Sequence, residues 1–203
     1  MEKIETATQW MIDLANDDSH GYDQDSRWGP DYDCSSSVIS AWQYAGVPVK
    51  TKGASSTYDM KNVFLSCGFT NVISSVNVST GAGLKRGDVL HRSGHTAMYI
   101  GNNKQVAAHL NEKGTTKGGK TGDQTGKEIS VSAYSNSSSN PWTAVLRYTA
   151  EAETTPTQPT TKAGEWIQGS NGKWWYRHTD GTCTKSDWEL IDGSWYYFDA
   201  DGW

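Results

Sequence analysis

Residues 149–162, TAEAETTPTQPTTK, divide the chain. Thr, Pro and Glu dominate the run and no apolar period survives in it, which is the composition of a linker. The 203 residues therefore separate into one stretch of ordinary domain size, 1–148, and a short second unit, 163–203. Charge separates along the same line. The first 149 residues balance 14 basic against 14 acidic side chains, and the remainder holds 4 against 9. With no basic stripe anywhere, nucleic acid is not an expected partner. The acidic tail suits a cationic ligand instead.

The tail is also aromatic. Six of the ten tryptophans lie in residues 166–203, and GKWWYRHTDG (172–181) matches GSWYYFDADG (193–202) closely. The Gly172-to-Gly193 offset sets a period of about 21 residues. Each unit reads as a β-hairpin, an aromatic strand followed by an Asp-Gly turn. The pattern stops at Asp201-Gly202-Trp203, where another hairpin would begin, so the array reads as incomplete.

Before the linker the texture changes midway. Ile4, Ala7, Trp10, Met11 and Leu14 recur at helical spacing across residues 3–16. A polar loop follows, then a second helix begins near Cys34 with Val38, Ile39, Trp42 and Ala45 as its apolar face. Gly46 and Pro48 end it. TYDMKNVFLSCG reads as a third helix. VISSVNV, GDVLHR, HTAMYIG, QVAAHL, EISVSAY and WTAVLRYT then read as short strands. Helices first and strands afterwards predict an α+β domain with an antiparallel sheet that closes near Tyr148.

Three cysteines do not suggest a disulfide framework. No stretch approaches a membrane span. The start, MEKIETATQWMIDLAN, is charged and amphipathic and lacks the apolar run of a signal peptide. Synthesis in a cytoplasm is expected, with action outside only if something releases the protein.

Cys34 stands in YDCSSSVISAW, between an aspartate and three serines, where a polar loop becomes an apolar helix. A helix start favours a thiolate, and the first-turn serines are expected to leave the sulfur partly solvated. Nucleophilic chemistry also needs a base in reach and a group that orients the base. His95 opens HTAMYIG and His109 lies in VAAHL. The two share a face if cross-strand pairs in their hairpin sum to 204, which an odd-length loop with a bulge provides; a plain two-residue Asn-Asn turn gives 205 and separates them. The odd loop is expected, with His95 as base and His109 as its orienting partner. His20, His91 and His178 read as hydrogen-bonded structural residues. His91 and His95 stand at H-x3-H spacing, but no CxxC or HExxH accompanies them, so no metal is expected. Asp23, Asp25 and Asp31 lack the regular spacing of a calcium loop and read as a solvated acidic loop.

Tyr22, Asp25, Arg27, GPDYDCSSS (29–37), KRGD (85–88) and GHTAMYIG (94–101) resemble the NlpC/P60 superfamily of papain-like cysteine peptidases. The likeness is greatest to its bacteriophage peptidoglycan-hydrolase branch, which includes pneumococcal phage amidases, and spans about residues 3–148. The resemblance implies a papain-like fold with Cys34 as nucleophile, His95 as base and His109 as third polar residue, with Asn111 a rival for that last role. It implies that Tyr22 lines the site and helps with the oxyanion. Asp33 would contact a substrate amine or the helix start. Asp88 would stabilise a turn. GEWIQGSNGKWWYRHTDG and ELIDGSWYYFDADGW are similar to choline-binding repeats of cell-wall proteins. That likeness implies that Trp166, Trp174, Trp175, Trp188, Trp195 and Tyr197 hold choline on teichoic acid, since aromatic faces bind quaternary ammonium by cation–π attraction.

Together these features imply a phage-type lysin, most closely an N-acetylmuramoyl-L-alanine amidase acting on peptidoglycan without a cofactor. A D-γ-glutamyl endopeptidase, a non-catalytic wall-binding protein and an acyltransferase are the competing expectations; the wall-binding repeats argue against the last.

Overall fold

The computed structural model describes residues 2–150, 164–191 and 194–203. The chain divides into two compact units, Met1–Glu151 and Ala152–Trp203. Of the expected linker, only Thr149 and Ala150 lie among the described residues.

The first unit is α+β. Helix α1 spans Glu2–Ala15, α2 Cys34–Tyr44 and α3 Met60–Ser66. Six strands follow: β1 (Phe69–Asn71), β2 (Val89–Arg92), β3 (His95–Gly101), β4 (Lys104–Ala108), β5 (Ile129–Ala133) and β6 (Ala144–Tyr148). They form one antiparallel sheet in the order β1-β6-β2-β3-β4-β5. No described helix is long and apolar enough to cross a membrane.

Strand alternation gives the sheet two apolar faces. Val89, Met98, Ile100, Val106 and Leu146 pack with Ala7 and Met11 of α1 and Val38, Ile39 and Trp42 of α2. Trp42 is fully buried, its ring edge-on to Phe69 at 4.7 Å. On the other face, Leu90, Ala97, Tyr99 and Val145 pack against Trp142 and the segment carrying Val72, Ile73, Val76 and Val78. VISSVNV is therefore not the expected strand. Its Ile73–Ser75 form a 3₁₀ turn and its apolar side chains cap the sheet's second face. Asn71 marks the departure: its Oδ1 accepts the N–H groups of Ile73 (3.3 Å) and Val145 (3.1 Å).

Asp88 holds the turn before β2, as expected. It accepts the Lys85 N–H at 2.8 Å and pairs through both oxygens with Arg147 of β6, at 2.8 and 2.6 Å.

The second unit contains two antiparallel hairpins, β7 (Gly164–Gln168) with β8 (Trp174–His178) and β9 (Asp187–Ile191) with β10 (Ser194–Phe198). His178 of β8 and Glu189 of β9 join them through a buried Nε2–Oε1 contact of 2.8 Å.

Candidate active site

Helix α2 begins at Cys34 because Asp33 caps it. Asp33 Oδ1 accepts the backbone N–H groups of Ser35 (2.9 Å) and Ser36 (2.7 Å), and Ser36 Oγ accepts the Asp33 N–H at 2.9 Å. Arg27 braces this cap: Nε lies 2.9 Å from Asp33 Oδ2, and Nη2 donates to Ser35 Oγ (2.8 Å) and to the Ser55 carbonyl (2.6 Å). Asp33 is thus occupied with the helix start and Arg27. The Ser35 and Ser36 N–H groups both donate to it.

The sulfur differs from expectation. Cys34 does open the helix, yet it is 6 % exposed, and Ser35, Ser36 and Ser37 are buried with it rather than wetting it. Burial, reinforced by the neighbouring Asp33 carboxylate, pushes the thiol up to about 11, although the Thr96 and Ser35 N–H groups and the Arg27 charge pull the other way. Desolvation outweighs the helix terminus, so a resting thiolate is not what this environment favours. The Thr96 N–H that draws the thiol down belongs to the beginning of β3, next to His95.

The β3–β4 hairpin reaches the expected register by a route of its own. Gly101 pairs with Lys104 across a two-residue turn in which Asn102 (φ 51°) and Asn103 (φ 55°) are both left-handed. A bulge then shifts the ladder, so that Tyr99 pairs with Gln105 and Met98 with Val106. Those pairs sum to 204. Carried to the end of the strands, this places His95 and His109 on one face, with ring centroids 6.0 Å apart.

His95 has a second ring neighbour that the sequence did not single out. Trp142 stacks on it at 5.8 Å with planes 21° apart, and the Arg92 guanidinium lies 4.8 Å over the same indole. Burial, then His109, then Arg92 push His95 down to about 4. Burial lowers His109 as well.

Tyr22 is buried beside the sulfur, and desolvation, then the Cys34 charge, raise its phenol to about 12. Gln24 Nε2 donates to Tyr22 Oη at 3.1 Å, which leaves the phenolic hydrogen for another acceptor. Asn111 is turned away from the third-residue role. Its Oδ1 accepts from the Lys113 and Thr115 N–H groups and its Nδ2 donates to the Lys117 carbonyl, so it organises its own loop. A cleft of about 280 Å³ opens beside Cys34, lined by Gln24, Arg27, Asp33, Ser35, Ser56, Thr57, Gly94 and Lys117. Gln24, Ser56, Thr57 and Lys117 had no motif to announce them.

The remaining histidines and acidic residues go elsewhere. His91 pairs across the ladder with Thr96, and Arg92 with His95, so His91 and His95 occupy opposite faces and the H-x3-H spacing makes no ligand pair. His91 Nε2 bonds the Thr57 carbonyl at 2.8 Å, and His20 Nδ1 bonds that of Pro30 at 2.6 Å. Asp25 pairs with Lys117 at 2.7 Å, Asp23 accepts the Asp25 and Ser26 N–H groups, and buried Asp31 accepts those of Gly21 and Gly122. The three carboxylates point to different partners. Among the described residues no three His, Cys, Asp or Glu are grouped as a metal ion would require.

Residues 29–106 and 105–163 match the endolysin-like domain, a span that includes Cys34, His95 and His109. The chain belongs to the endolysin-like domain family. Residues 186–202 match a cell wall binding repeat of the choline-binding type. No curated protein matches the chain. An endolysin-like domain followed by such a repeat carries a cell-wall lytic function of the phage type.

The second unit of the endolysin-like chain holds a hollow of about 510 Å³ lined by Trp166, Trp174, Tyr196, Tyr197, Phe198 and Trp203. Trp166 sits edge-on to Tyr196 at 4.7 Å and to Tyr176 at 5.2 Å. Trp166, Trp174 and Tyr197 of the expected aromatic set line it. Trp175 pairs with Ile167 and is not among the lining residues. Trp188 and Trp195 belong to β9 and β10, but their side chains lie outside the described residues. Tyr196, Phe198 and Trp203 complete the wall, and only the packing of the hairpins reveals them.

Proposed function

We propose that this endolysin-like protein is a cysteine amidase of NlpC/P60 type that hydrolyses the N-acetylmuramoyl-L-alanine bond of peptidoglycan. One observation carries the reading: Cys34, at the start of α2, lines an open cleft, and the Thr96 N–H, next along β3 from His95, is among the groups that draw its thiol down.

The resting pair is a neutral thiol and a neutral imidazole, given the directions of both shifts. The proton therefore leaves sulfur for His95 as the sulfur–carbon bond forms, rather than beforehand. Negative charge moves to the carbonyl oxygen, where the Tyr22 hydroxyl donates a hydrogen bond; its raised pKa keeps that proton in place. The His95 imidazolium then gives its proton to the departing amine nitrogen, and the carbon–nitrogen bond breaks. Water attacks the thioester, His95 takes its proton, and the thiol is restored as the acid leaves. Trp142 and His109 hold the imidazole between them throughout.

The aromatic hollow of the second unit supports binding of choline on teichoic acid, because a quaternary ammonium offers no conventional hydrogen bond and is held by aromatic faces. Such a tether raises the local concentration of substrate.

Digestion of purified choline-containing walls, followed by mass spectrometry of the new termini, tests the bond assignment. A newly freed L-alanine amine without a cut after D-glutamate supports the amidase; a D-γ-glutamyl cut assigns the endopeptidase instead. Elution of the intact chain from a choline-mimicking resin by free choline tests the tail, and failure to bind removes choline as its ligand.

A further inference from the structure

Glu128 precedes β5 and is 0 % exposed. No motif in the sequence marks it. Its Oε2 accepts the Tyr22 N–H at 2.9 Å, its Oε1 accepts the Gln124 N–H at 3.1 Å, and its backbone carbonyl accepts the His109 N–H at 2.8 Å. One residue thus fixes the main chain at both Tyr22 and His109. At His109 this matters because β4 ends at Ala108, whose pairing with Ile129 is the last rung of the β4–β5 ladder. The approach is close: a Cβ on Gly21 would stand 3.0 Å from Glu128 Oε2 and 2.2 Å from the Gly122 carbonyl oxygen.

Burying a carboxyl group is costly unless its oxygens are hydrogen-bonded, and here each oxygen has a backbone donor. Asp31 provides a built-in comparison. It is also buried, and it ties the same two loops through the Gly21 and Gly122 N–H groups at 2.8 and 2.9 Å, but these bonds reach neither Tyr22 nor His109. Loop closure alone is served by Asp31; what the Glu128 side chain adds is a direct hold on the Tyr22 main chain.

We infer that the Glu128 side chain is a positioning group of the cysteine site, holding the main chain at Tyr22 so that the phenol meets the reaction at Cys34, while its backbone carbonyl anchors His109 whatever the side chain. The inference rests on the hydrolase reading above.

Glu128→Gln is the test, with Asp31→Asn as control. A glutamine can offer its carbonyl to only one of the two N–H groups and turns an NH2 toward the other. In E128Q, kcat on purified walls falls by about ten-fold or more with KM within about two-fold, because misplacing a reacting group costs rate more than affinity. Alkylation of Cys34 by iodoacetamide, read by peptide mass spectrometry, has its pH midpoint fall below the wild-type midpoint as water reaches the sulfur. D31N leaves that midpoint in place. Equal effects of E128Q and D31N on both readouts, or wild-type behaviour of E128Q, overturn the inference. If E128Q does not fold, Glu128→Asp, which keeps both oxygens but withdraws them by one methylene, is read in the same way. Should C34A still lyse walls, the cysteine-nucleophile reading fails, while the alkylation comparison still decides whether Glu128 shapes the surroundings of the sulfur.

Discussion

His95 and His109 face one another across the β3–β4 hairpin, with ring centroids 6.0 Å apart and planes inclined by 33°. Two half-buried imidazoles this close resist taking up protons, which makes the pair an acid-sensitive element of the fold. His91, His95 and His109 are all held below the ordinary histidine value, each chiefly by burial.

The sign of the pH dependence follows. The unfolded chain binds protons at its imidazoles near 6.5, and folded His95 does so only at about 4. Between those values the unfolded state holds more protons, so stability is full above 6.5 and is lost as pH falls toward 4. His95 alone accounts for about 3 kcal/mol. Urea unfolding from pH 7.5 to 4 should show this loss, and His95→Asn should reduce its slope; a pH-independent midpoint would count against the buried neutral pair.

Cys34 should behave as a high-pKa thiol in the free protein. Its alkylation rate is expected to rise about ten-fold per pH unit from 7 toward 10, because only the thiolate reacts. Site-resolved alkylation with a neutral reagent checks this. A plateau beginning below pH 8 would reveal a preformed thiolate–imidazolium pair.

Trp142 should matter to rate through His95. Its indole stacks on the imidazole, carries Arg92 on its ring and donates to the Ser135 carbonyl at 3.0 Å. Trp142→Ala is expected to lower lysis by about ten- to a hundred-fold, and Trp142→Phe, which keeps a face to stack on, to retain most of it. Lysis rates normalised to folded protein by circular dichroism make the comparison. Wild-type lysis by the alanine variant would remove Trp142 from the site.

The legible parts of this fold were those governed by local rules. Asp33 before an apolar helix specifies a cap, and that put Cys34 at a helix start. The shared face of His95 and His109 was expected from an odd loop; the turn is instead the two-residue Asn102–Asn103 turn, and a bulge beyond it, which the sequence did not reveal, restores the register. VISSVNV misled because apolar, β-branched residues serve equally well as a cover over a sheet. The burial of Cys34 was not legible, since Tyr22 and Thr96 come to its neighbourhood from other segments of the chain. The roles of Trp142 and Glu128 were invisible for the same reason: each only opens a run read as a strand, and its partners are set by packing.

The most direct measurement is wall lysis by Cys34→Ala. The variant removes one sulfur from a capped helix start and leaves Asp33, Arg27 and the aromatic hollow of the second unit in place. Turbidity loss and release of new amines from purified walls should fall to the no-enzyme background, while binding to the same walls persists. Lysis by Cys34→Ala at the wild-type rate would contradict the account, because the nucleophile would then be some other group.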